Sequence, residues 1–347
     1  MIFALVLLVL LVVSSLYNLG NFASHLVHGK SSRYSSRSGG PKLDEVVTED
    51  NDATDKIAVI DVQGIITGRV VDQGGYSMVD LIKAQLRRAA EDDKVKAVIL
   101  KVDSPGGEVL ASDEIYRALA EFQTNKTHKP AIASMGSLAA SGGYYVSSPC
   151  RWIVANEMTI TGSIGVIMSA WNYRGLMDKV GLVPQTYKSG KFKDMLSGSR
   201  ELGEIPAEER AMVQALIDET YARFKNVVQQ GRSWAYQKNQ GAKDKGRALD
   251  DTWQDYADGR VLSGSEAYRL GFVDELGDFQ AAVKRAKTIA GIPSSANLIE
   301  YQQRYDLADL LKLFGRSDAK GVKIDLGMDL PRLQAGAMYF LSPTFLH

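Results

Sequence analysis

Residues 56–292 are predicted to form a layered α/β fold with a largely parallel sheet, because two hydrophobic patterns alternate along them. Short apolar runs of strand length, such as 57–62 and 95–102, alternate with longer segments whose apolar residues recur at helical spacing. Repeated strand–helix units of this kind build parallel sheets through right-handed crossovers. A chain of 347 residues that is 45% hydrophobic can also bury the core that such a sheet needs.

The individual elements follow in order along the chain. Helix predictions rest on apolar periodicity, supported by proline and acidic residues at 206–209 and by a glycine stop at Gly271. The stretch 259–274 is predicted to form a turn, a short helix and a strand. The other helices are predicted at 78–91, 108–122, after Ser141, at 206–230 and at 278–290. The strands are predicted at 57–62, 95–102, 131–135, 152–155 and 183–187, and residues 162–168 are predicted to form a turn and a further strand.

The first 28 residues (1–28) are predicted to be a transmembrane anchor. Residues 2–17 are apolar except for two serines, and no charged residue precedes Lys30. An apolar run of about 20 residues spans a bilayer core. Because no basic residue precedes the run and no Ala-x-Ala-like cleavage site follows it, we predict an uncleaved anchor rather than a signal peptide that is removed.

Residues 29–55 are predicted to be a flexible tether, since their serine, glycine and charged residues cannot bury enough apolar area to offset ordering. Basic residues follow the apolar run, and by the positive-inside rule this flank would leave the 56–292 domain in the cytoplasm. Residues 293–347 form a C-terminal extension for which the sequence predicts no role. The basic residues of the flank are Lys30, Arg33, Arg37 and Lys42.

The composition excludes several classes of partner and site. Acidic and basic residues are equal at 41 each, so no net charge favours nucleic acid. Cys150 is the only cysteine, which excludes a disulfide within the chain and a cysteine-based zinc site. No Gly-x-x-x-x-Gly-Lys-Ser/Thr loop supports nucleotide binding. We therefore predict no nucleic-acid partner, no metal and no cofactor.

A serine after the predicted strand 131–135 is the first candidate catalytic residue. Ser141 lies among small residues in the segment 136–145, where little side-chain bulk shields its hydroxyl. A serine on a tight turn between a strand and a helix has the geometry of a nucleophile elbow. The alternative is a glycine-rich turn in which the serine is incidental.

A serine nucleophile needs a base, and the histidines are poorly placed to supply it. His25 and His28 lie in the predicted anchor, His347 is the last residue, and His128 lies in a polar loop. A lysine can replace histidine when its surroundings keep it uncharged.

Three lysines in the loop 187–197 are candidates for this base, and periodicity does not choose among them. The alternative is a solvated basic loop. Apolar neighbours favour Lys193, and the loop follows a predicted strand, where open α/β sheets place their sites. The adjacent carboxylate of Asp194 argues for caution, because it could keep a neighbouring lysine charged. The other two lysines are Lys188 and Lys191.

Two further turns could complete a serine-dependent site. Gly106 and Gly107 follow the strand 95–102, and their N–H groups can approach a substrate closely enough to hold an oxyanion. Ser163 lies in a Thr-Gly-Ser turn, where its hydroxyl could position a lysine amine. An ordinary turn explains Ser163 equally well.

Five motifs occur in order along the chain. They are Asp103-Ser-Pro-Gly-Gly107, Met135-Gly-Ser-Leu-Ala-Ala-Ser-Gly-Gly-Tyr-Tyr145, Thr161-Gly-Ser-Ile-Gly-Val166, Lys188-Ser-Gly-Lys-Phe-Lys-Asp194, and Asp258-Gly-Arg-Val261 through Leu276-Gly277. In these motifs the chain resembles the signal peptide peptidase A family of membrane-bound serine proteases in its short, single-domain form. The resemblance covers about residues 56–290.

The resemblance implies a Clp-protease/crotonase-like fold and assigns a role to each candidate residue. Ser141 would be the nucleophile and Lys193 the general base of a Ser–Lys dyad. Ser163 would orient the lysine. The oxyanion hole would comprise Gly106, Gly107 and Gly142.

The resemblance also implies ring-shaped homo-oligomers, a protease domain outside the cytoplasm and, as substrates, signal peptides left in the membrane. The basic flank after the anchor argues for the opposite side of the membrane. We therefore predict a membrane-anchored serine endopeptidase acting on apolar peptides. The alternatives are a crotonase-like acyl-CoA enzyme and a non-catalytic membrane scaffold on the same fold.

Overall fold

The computed structural model describes residues 40–70, 75–126, 128–304 and 338–341. The predicted anchor, residues 1–28, lies outside these ranges. Among the residues that are described, none of the helices is both long enough and apolar enough to cross a membrane.

The helices and strands alternate through most of the chain. The helices are α1 (Met78–Glu91), α2 (Val109–Thr124), α3 (Gly142–Ser147), α4 (Arg174–Lys179), α5 (Ala207–Lys238), α6 (Gly264–Arg269) and α7 (Phe279–Ala290). The strands are β1 (Leu43–Glu49), β2 (Lys56–Gln63), β3 (Val95–Ser104), β4 (Gly106–Glu108), β5 (Ala131–Ala140), β6 (Trp152–Ala155), β7 (Ile160–Gly162), β8 (Ile167–Met168), β9 (Val261–Ser263), β10 (Glu275–Leu276), β11 (Asn297–Gln303) and β12 (Met338–Leu341).

Nine strands of the described ranges form one sheet, whose main path has the order β1-β11-β2-β3-β5-β6-β10. Strand β7 pairs with the second half of β5 and with β9. The pairs β1–β11 and β7–β9 are antiparallel, and the other pairs of this sheet are parallel. A second, antiparallel sheet has the order β4-β12-β8. The predicted α/β fold with a largely parallel sheet is confirmed.

Helices cover both faces of the main sheet, because successive side chains of a strand point to opposite faces. On β3, Val98 and Leu100 belong to a core cluster with α1 and α2, whereas Ala97 and Ile99 belong to a second cluster with α7. The near-continuous apolar run of β3 is therefore the pattern of a strand buried on both faces.

Two strands form in segments where the sequence predicted no strand. Residues 43–49, within the predicted tether, form β1, and residues 297–303, in the extension without a predicted role, form β11. The two strands pair with each other, with β1 at the edge of the sheet and β11 between β1 and β2. Composition could not indicate this, since the partner that orders β1 is about 250 residues away in the chain.

The strand predicted at 183–187 does not form. These residues have no strand structure, and Val183 and Tyr187 are 76% and 92% exposed. Apolar alternation predicts a strand only where a neighbouring strand and a core are available. The loop 187–197 consequently does not follow a strand of the sheet, which removes one reason for expecting the lysine base there.

The helix predicted to end at Gln230 continues to Lys238. It passes through Gly231, where a Cβ would lie only 2.4 Å from the carbonyl oxygen of Ser148. Glycine at this position lets α5 approach the end of α3. Gly231 therefore permits close packing of the two helices and does not end α5.

A buried ion pair joins α5 to the sheet. Arg232 on α5 bonds to Asp274, and the side chains of both residues are almost fully buried. The Asp274 carboxylate also accepts the backbone N–H of Ile153 at 2.9 Å, and Arg232 donates to the carbonyl of Cys150 at 3.1 Å. These bonds connect α5, β6 and the segment before β10.

We expect Arg232→Met to lower the free energy of unfolding by about 3–5 kcal/mol, because it leaves the Asp274 carboxylate buried without its counter-charge. Urea unfolding followed by circular dichroism measures the change. Arg174→Met is the control, since it removes an arginine from a surface pair with Asp178 and should change stability little. An equal decrease in the free energy of unfolding in the two variants would show that the buried pair contributes no more to stability than the surface pair.

Candidate active site

The parallel pairing of three strands brings most of the predicted site together. Strands β3, β5 and β7 are neighbours, with Ser104 opposite Ala139 and Ala140 opposite Gly162. Because carboxyl ends of parallel strands meet at one edge of a sheet, the residues that follow them become neighbours. The residues assembled in this way are Gly106, Gly107, Ser141, Gly142 and Ser163.

Ser141 has a strained backbone between β5 and α3. Its φ of 55° and ψ of −116° form a combination that side-chain-bearing residues rarely adopt. Hydrogen bonds hold it there: its N–H donates to the carbonyl of Gly162 at 2.8 Å, and its carbonyl accepts from Tyr145 at 2.8 Å. The side chain is 1% exposed, and its hydroxyl oxygen has no hydrogen-bond partner among the described residues. Strain and an unpaired buried hydroxyl are typical of a functional residue.

The backbone around Ser141 is packed too closely for side chains. Gly106 has a φ of 101°, and a Cβ there would lie 2.6 Å from the amide nitrogen of Gly142. A Cβ on Gly142 would in turn lie 3.0 Å from the amide nitrogen of Gly107. Glycine is required at Gly106 and Gly142 for these amide groups to gather beside the serine.

Local backbone structure constrains the N–H groups of Gly107 and Gly142. The carbonyl of Gly106 accepts from Ile66 at 2.9 Å, and the N–H of Glu108 donates to the Ile66 carbonyl at 2.8 Å. Since successive peptide groups of a strand alternate in direction, the N–H of Gly107 points to the opposite side. Gly142 is the first residue of α3, so its N–H has no partner within the helix.

Ser163 lies beside Ser141 at the end of β7. It has a φ of 52°, is 3% exposed, and donates its N–H to the carbonyl of Arg260 at 2.7 Å. The register of Ala140 with Gly162 makes the two serines neighbours across the pair of strand ends.

The three candidate lysines lie elsewhere, in turns against the start of α5. Lys188 forms an ion pair with Asp194 at 2.8 Å, and its hydrogen bond lowers the pKa of the Asp194 carboxyl. Lys191 forms an ion pair with Glu208. Lys193 is exposed, and no carboxylate of the described residues lies within ion-pair distance of its amine. The sequence suggested that Asp194 could keep Lys193 charged. In the structure the Asp194 carboxylate instead forms its ion pair with Lys188.

Within one copy of the chain the structure does not bring Lys193 to Ser141. The serine hydroxyl is buried and has no partner in the described ranges, whereas Lys193 lies on the surface. The main-chain N–H of Leu196 donates to Glu209 at 3.2 Å, which anchors the lysine turn to α5.

Sequence reasoning missed one neighbour of the site, the strand β12. Phe340 lies opposite Gly107, and its ring stacks on Tyr145 of α3 with the centroids 4.8 Å apart. The only signal was the short apolar run 338–341, which is of strand length but has no flanking pattern. As for metals, no group of three or more His, Cys, Asp or Glu in the described part of the chain could hold an ion.

Comparison with known proteins identifies two matching families. The model of peptidase family S49 matches residues 123–292, and the model of Clp protease matches residues 50–160. The second match agrees with the Clp-protease-like fold that the motif resemblance implied.

Individual relatives agree with these matches. A protein named as a candidate protease in Synechocystis sp. is 38% identical over 237 residues, which cover 68% of this chain and 75% of that protein. A protein named as a candidate signal peptide peptidase SppA in Enterococcus faecium is 35% identical over 269 residues, 76% of this chain and 72% of that protein. Protease 4 of Haemophilus influenzae is 36% identical over 238 residues, 67% of this chain and 35% of that longer protein.

We expect Ser141→Gly to be more stable to unfolding than Ser141→Ala by about 1 kcal/mol or more, because only glycine relieves the strain at this φ and ψ. Both variants lack the hydroxyl, so the difference between their free energies of unfolding reports the backbone strain at this position. Urea unfolding of the two proteins measures it. An alanine variant as stable as the glycine variant would show that Ser141 is not strained.

Proposed function

This chain belongs to peptidase family S49 and is a protease, and from that premise we propose that it is a serine endopeptidase with a Ser141–Lys193 dyad. The observation that carries the proposal is the strained, buried Ser141, whose hydroxyl has no hydrogen-bond partner among the described residues and which directly precedes the closely packed Gly142. The protease relationship favours peptide hydrolysis over acyl-CoA chemistry.

In the proposed reaction, the neutral amine of Lys193 removes the Ser141 proton as the serine oxygen attacks a peptide carbonyl. The N–H groups of Gly107 and Gly142 stabilise the oxyanion of the tetrahedral intermediate. The lysine ammonium then protonates the leaving amine, and the C–N bond breaks to give an acyl-enzyme. Water, deprotonated by the same lysine, attacks the ester and releases the acid with recovery of Ser141. Ser163 would position the amine.

We propose that the lysine reaches the serine of a neighbouring copy in a homo-oligomer, for which the family resemblance implies a ring. In support, Lys193 is exposed, and among the described residues its amine has no carboxylate within ion-pair distance and the Ser141 hydroxyl has no hydrogen-bond partner. The segment that carries the lysine also exposes large apolar side chains, which monomers seldom leave in contiguous patches. They are Trp171, Tyr173, Leu176, Leu182, Val183 and Tyr187.

The proposed substrates are extended, apolar peptides such as signal peptides left after cleavage. The support is similarity to a relative whose name is signal peptide peptidase SppA, together with the apolar run at residues 2–17. An enzyme held at a membrane would meet such peptides where they accumulate.

We expect Ser141→Ala and Lys193→Ala each to abolish hydrolysis of a fluorogenic apolar peptide. Co-expression of the two inactive variants should restore about a quarter of the wild-type activity per active site, because a random oligomer places an intact serine beside a neighbour's intact lysine in that fraction of sites. Purified mixed oligomers provide the measurement.

Lys188→Ala and Lys191→Ala are the matched controls and should keep their activity. Mixed oligomers without activity would place both dyad members in one copy. Full activity of the Lys193→Ala variant by itself would show that another lysine is the general base. A wild-type oligomer whose Ser141 resists a serine-directed phosphonate probe would favour the non-catalytic scaffold.

We propose that residues 1–28 anchor the protein in a membrane with the protease domain outside the cytoplasm. A membrane-impermeant phosphonate probe should then label Ser141 in inverted, cytoplasm-side-out vesicles only after detergent opens them. Ser141→Ala is the unlabelled control. Labelling of intact inverted vesicles would place the domain in the cytoplasm, as the basic flank predicts, and recovery of the full chain without membranes would contradict the anchor.

A further inference from the structure

A closed turn at residues 258–260 leads into β9 and has no part in the proposed reaction. It begins the last of the five sequence motifs. The Asp258 carboxylate accepts two hydrogen bonds from the Arg260 guanidinium, one on each oxygen, at 2.7 and 2.6 Å. It also accepts the backbone N–H of Arg260 at 3.1 Å. Gly259, between them, has a φ of 93°, which glycine adopts at little cost. A bidentate pair with an added main-chain bond gives the 258–260 turn a defined geometry.

Two tyrosines hold the 258–260 turn against the body of the protein. The Arg260 guanidinium lies over the Tyr256 ring, 5.2 Å from its centroid. Tyr221 of α5 donates its hydroxyl to the carbonyl of Ala257. The hydrogen bond from Arg260 lowers the pKa of the Asp258 carboxyl to about 2, so the carboxylate stays ionised and paired at neutral and alkaline pH.

A single peptide group links this turn to both serines of the candidate site. The N–H of Ser163 donates to the carbonyl of Arg260 at 2.7 Å. The carbonyl of Gly162, which belongs to the same peptide group as the Ser163 N–H, accepts the N–H of Ser141 at 2.8 Å. Because a peptide group is planar and trans, the direction of its N–H fixes the direction of its C=O. The Arg260 carbonyl therefore helps to orient the acceptor that holds the strained backbone of Ser141.

The end of β7 also packs closely against the 258–260 turn. A Cβ on Gly162 would lie 3.3 Å from the Arg260 carbonyl oxygen, and a Cβ on Gly165 would lie 3.2 Å from the Cα of Gly259. Gly162 is the register partner of Val261, the first residue of β9. A displacement of the turn would therefore move the end of β7 with it.

We propose that Asp258 and Arg260 are positioning residues of the active site. Their turn orients the Gly162–Ser163 peptide group and, through it, the backbone of Ser141. The inference rests on the proposed peptidase function. Both side chains of the ion pair are 50% exposed, so the pair should contribute little to global stability. Its effect is local, because a displacement of about 1 Å at a reacting group can lower a rate about a hundredfold.

Asp258→Asn and Arg260→Gln test the proposal, because each removes the charged bonds and keeps a polar side chain. Each variant should lower kcat for a fluorogenic apolar peptide by on the order of tenfold and leave KM within about twofold, since a positioning residue does not contact the peptide. The double variant should lose no more than either single variant, because the two residues act as one unit. Glu114→Gln is the matched control: it removes a carboxylate from a comparably exposed pair with Lys83 and should keep the wild-type kcat.

Arg260→Lys provides a conservative variant, because it keeps the positive charge and loses the planar fork. Its kcat should lie between those of Arg260→Gln and the wild type. A raised KM with unchanged kcat in Arg260→Gln would show that the arginine contacts the peptide and would overturn the positioning role. Wild-type kcat in both Asp258→Asn and Arg260→Gln would also overturn it.

Amide hydrogen exchange separates this inference from the proposed function, because it needs no catalysis. In Asp258→Asn, fragments that cover residues 139–146 and 160–166 should exchange at least about tenfold faster than in the wild type, while fragments from β2 stay unchanged. Mass spectrometry of peptic fragments gives the rates, with Glu114→Gln as the control variant. Faster exchange in both segments, in a protein whose wild type hydrolyses no peptide, would keep the link between the turn and the serines and remove the peptidase. Hydrolysis by the wild type with unchanged exchange in both segments would keep the peptidase and overturn this inference.

Discussion

The structure depends on the close approach of three backbone segments at the carboxyl ends of β3, β5 and β7. A Cβ on Gly106 would lie 2.6 Å from the amide nitrogen of Gly142, so no side chain fits there, and the N–H of Ser141 donates to the carbonyl of Gly162 at 2.8 Å. Such an approach requires that the strand ends be aligned, and the parallel register of the three strands provides that alignment. The serine and its neighbouring amides share one small volume as a consequence.

Strain at Ser141 persists because the surrounding structure holds the residue from both sides. An unfavourable φ and ψ costs on the order of 1–3 kcal/mol, which a well-packed fold can offset. The N–H of Ser141 is bonded to the end of β7, and α3 behind it is completely buried. Tyr144 of that helix donates its hydroxyl to the carbonyl of Phe272 at 2.9 Å, and Tyr145 bonds to Asp113. The core thus positions Ser141 as well as stabilising the fold.

The candidate residues of the site lie in two separate environments, one closely packed and one exposed. The serine and its amides belong to the sheet edge, where packing leaves no freedom. The proposed base lies on an exposed turn that is attached to α5, and β12 pairs with the strand that contains Gly106 and Gly107.

The sequence alone determined the layered α/β fold and the position of the candidate serine, because apolar periodicity and small-residue turns are local properties. It also placed Gly106, Gly107, Gly142 and Ser163 at turns, and strand register then made them neighbours. Only the tertiary structure decided which segments pair over long distances. Part of the predicted tether forms β1, which pairs with β11. The predicted strand at 183–187 pairs with no strand of the described residues and is irregular. The separation of Lys193 from Ser141 and the insertion of β12 beside Gly107 are likewise long-range outcomes, since backbone hydrogen bonds and burial select partners that local pattern cannot indicate.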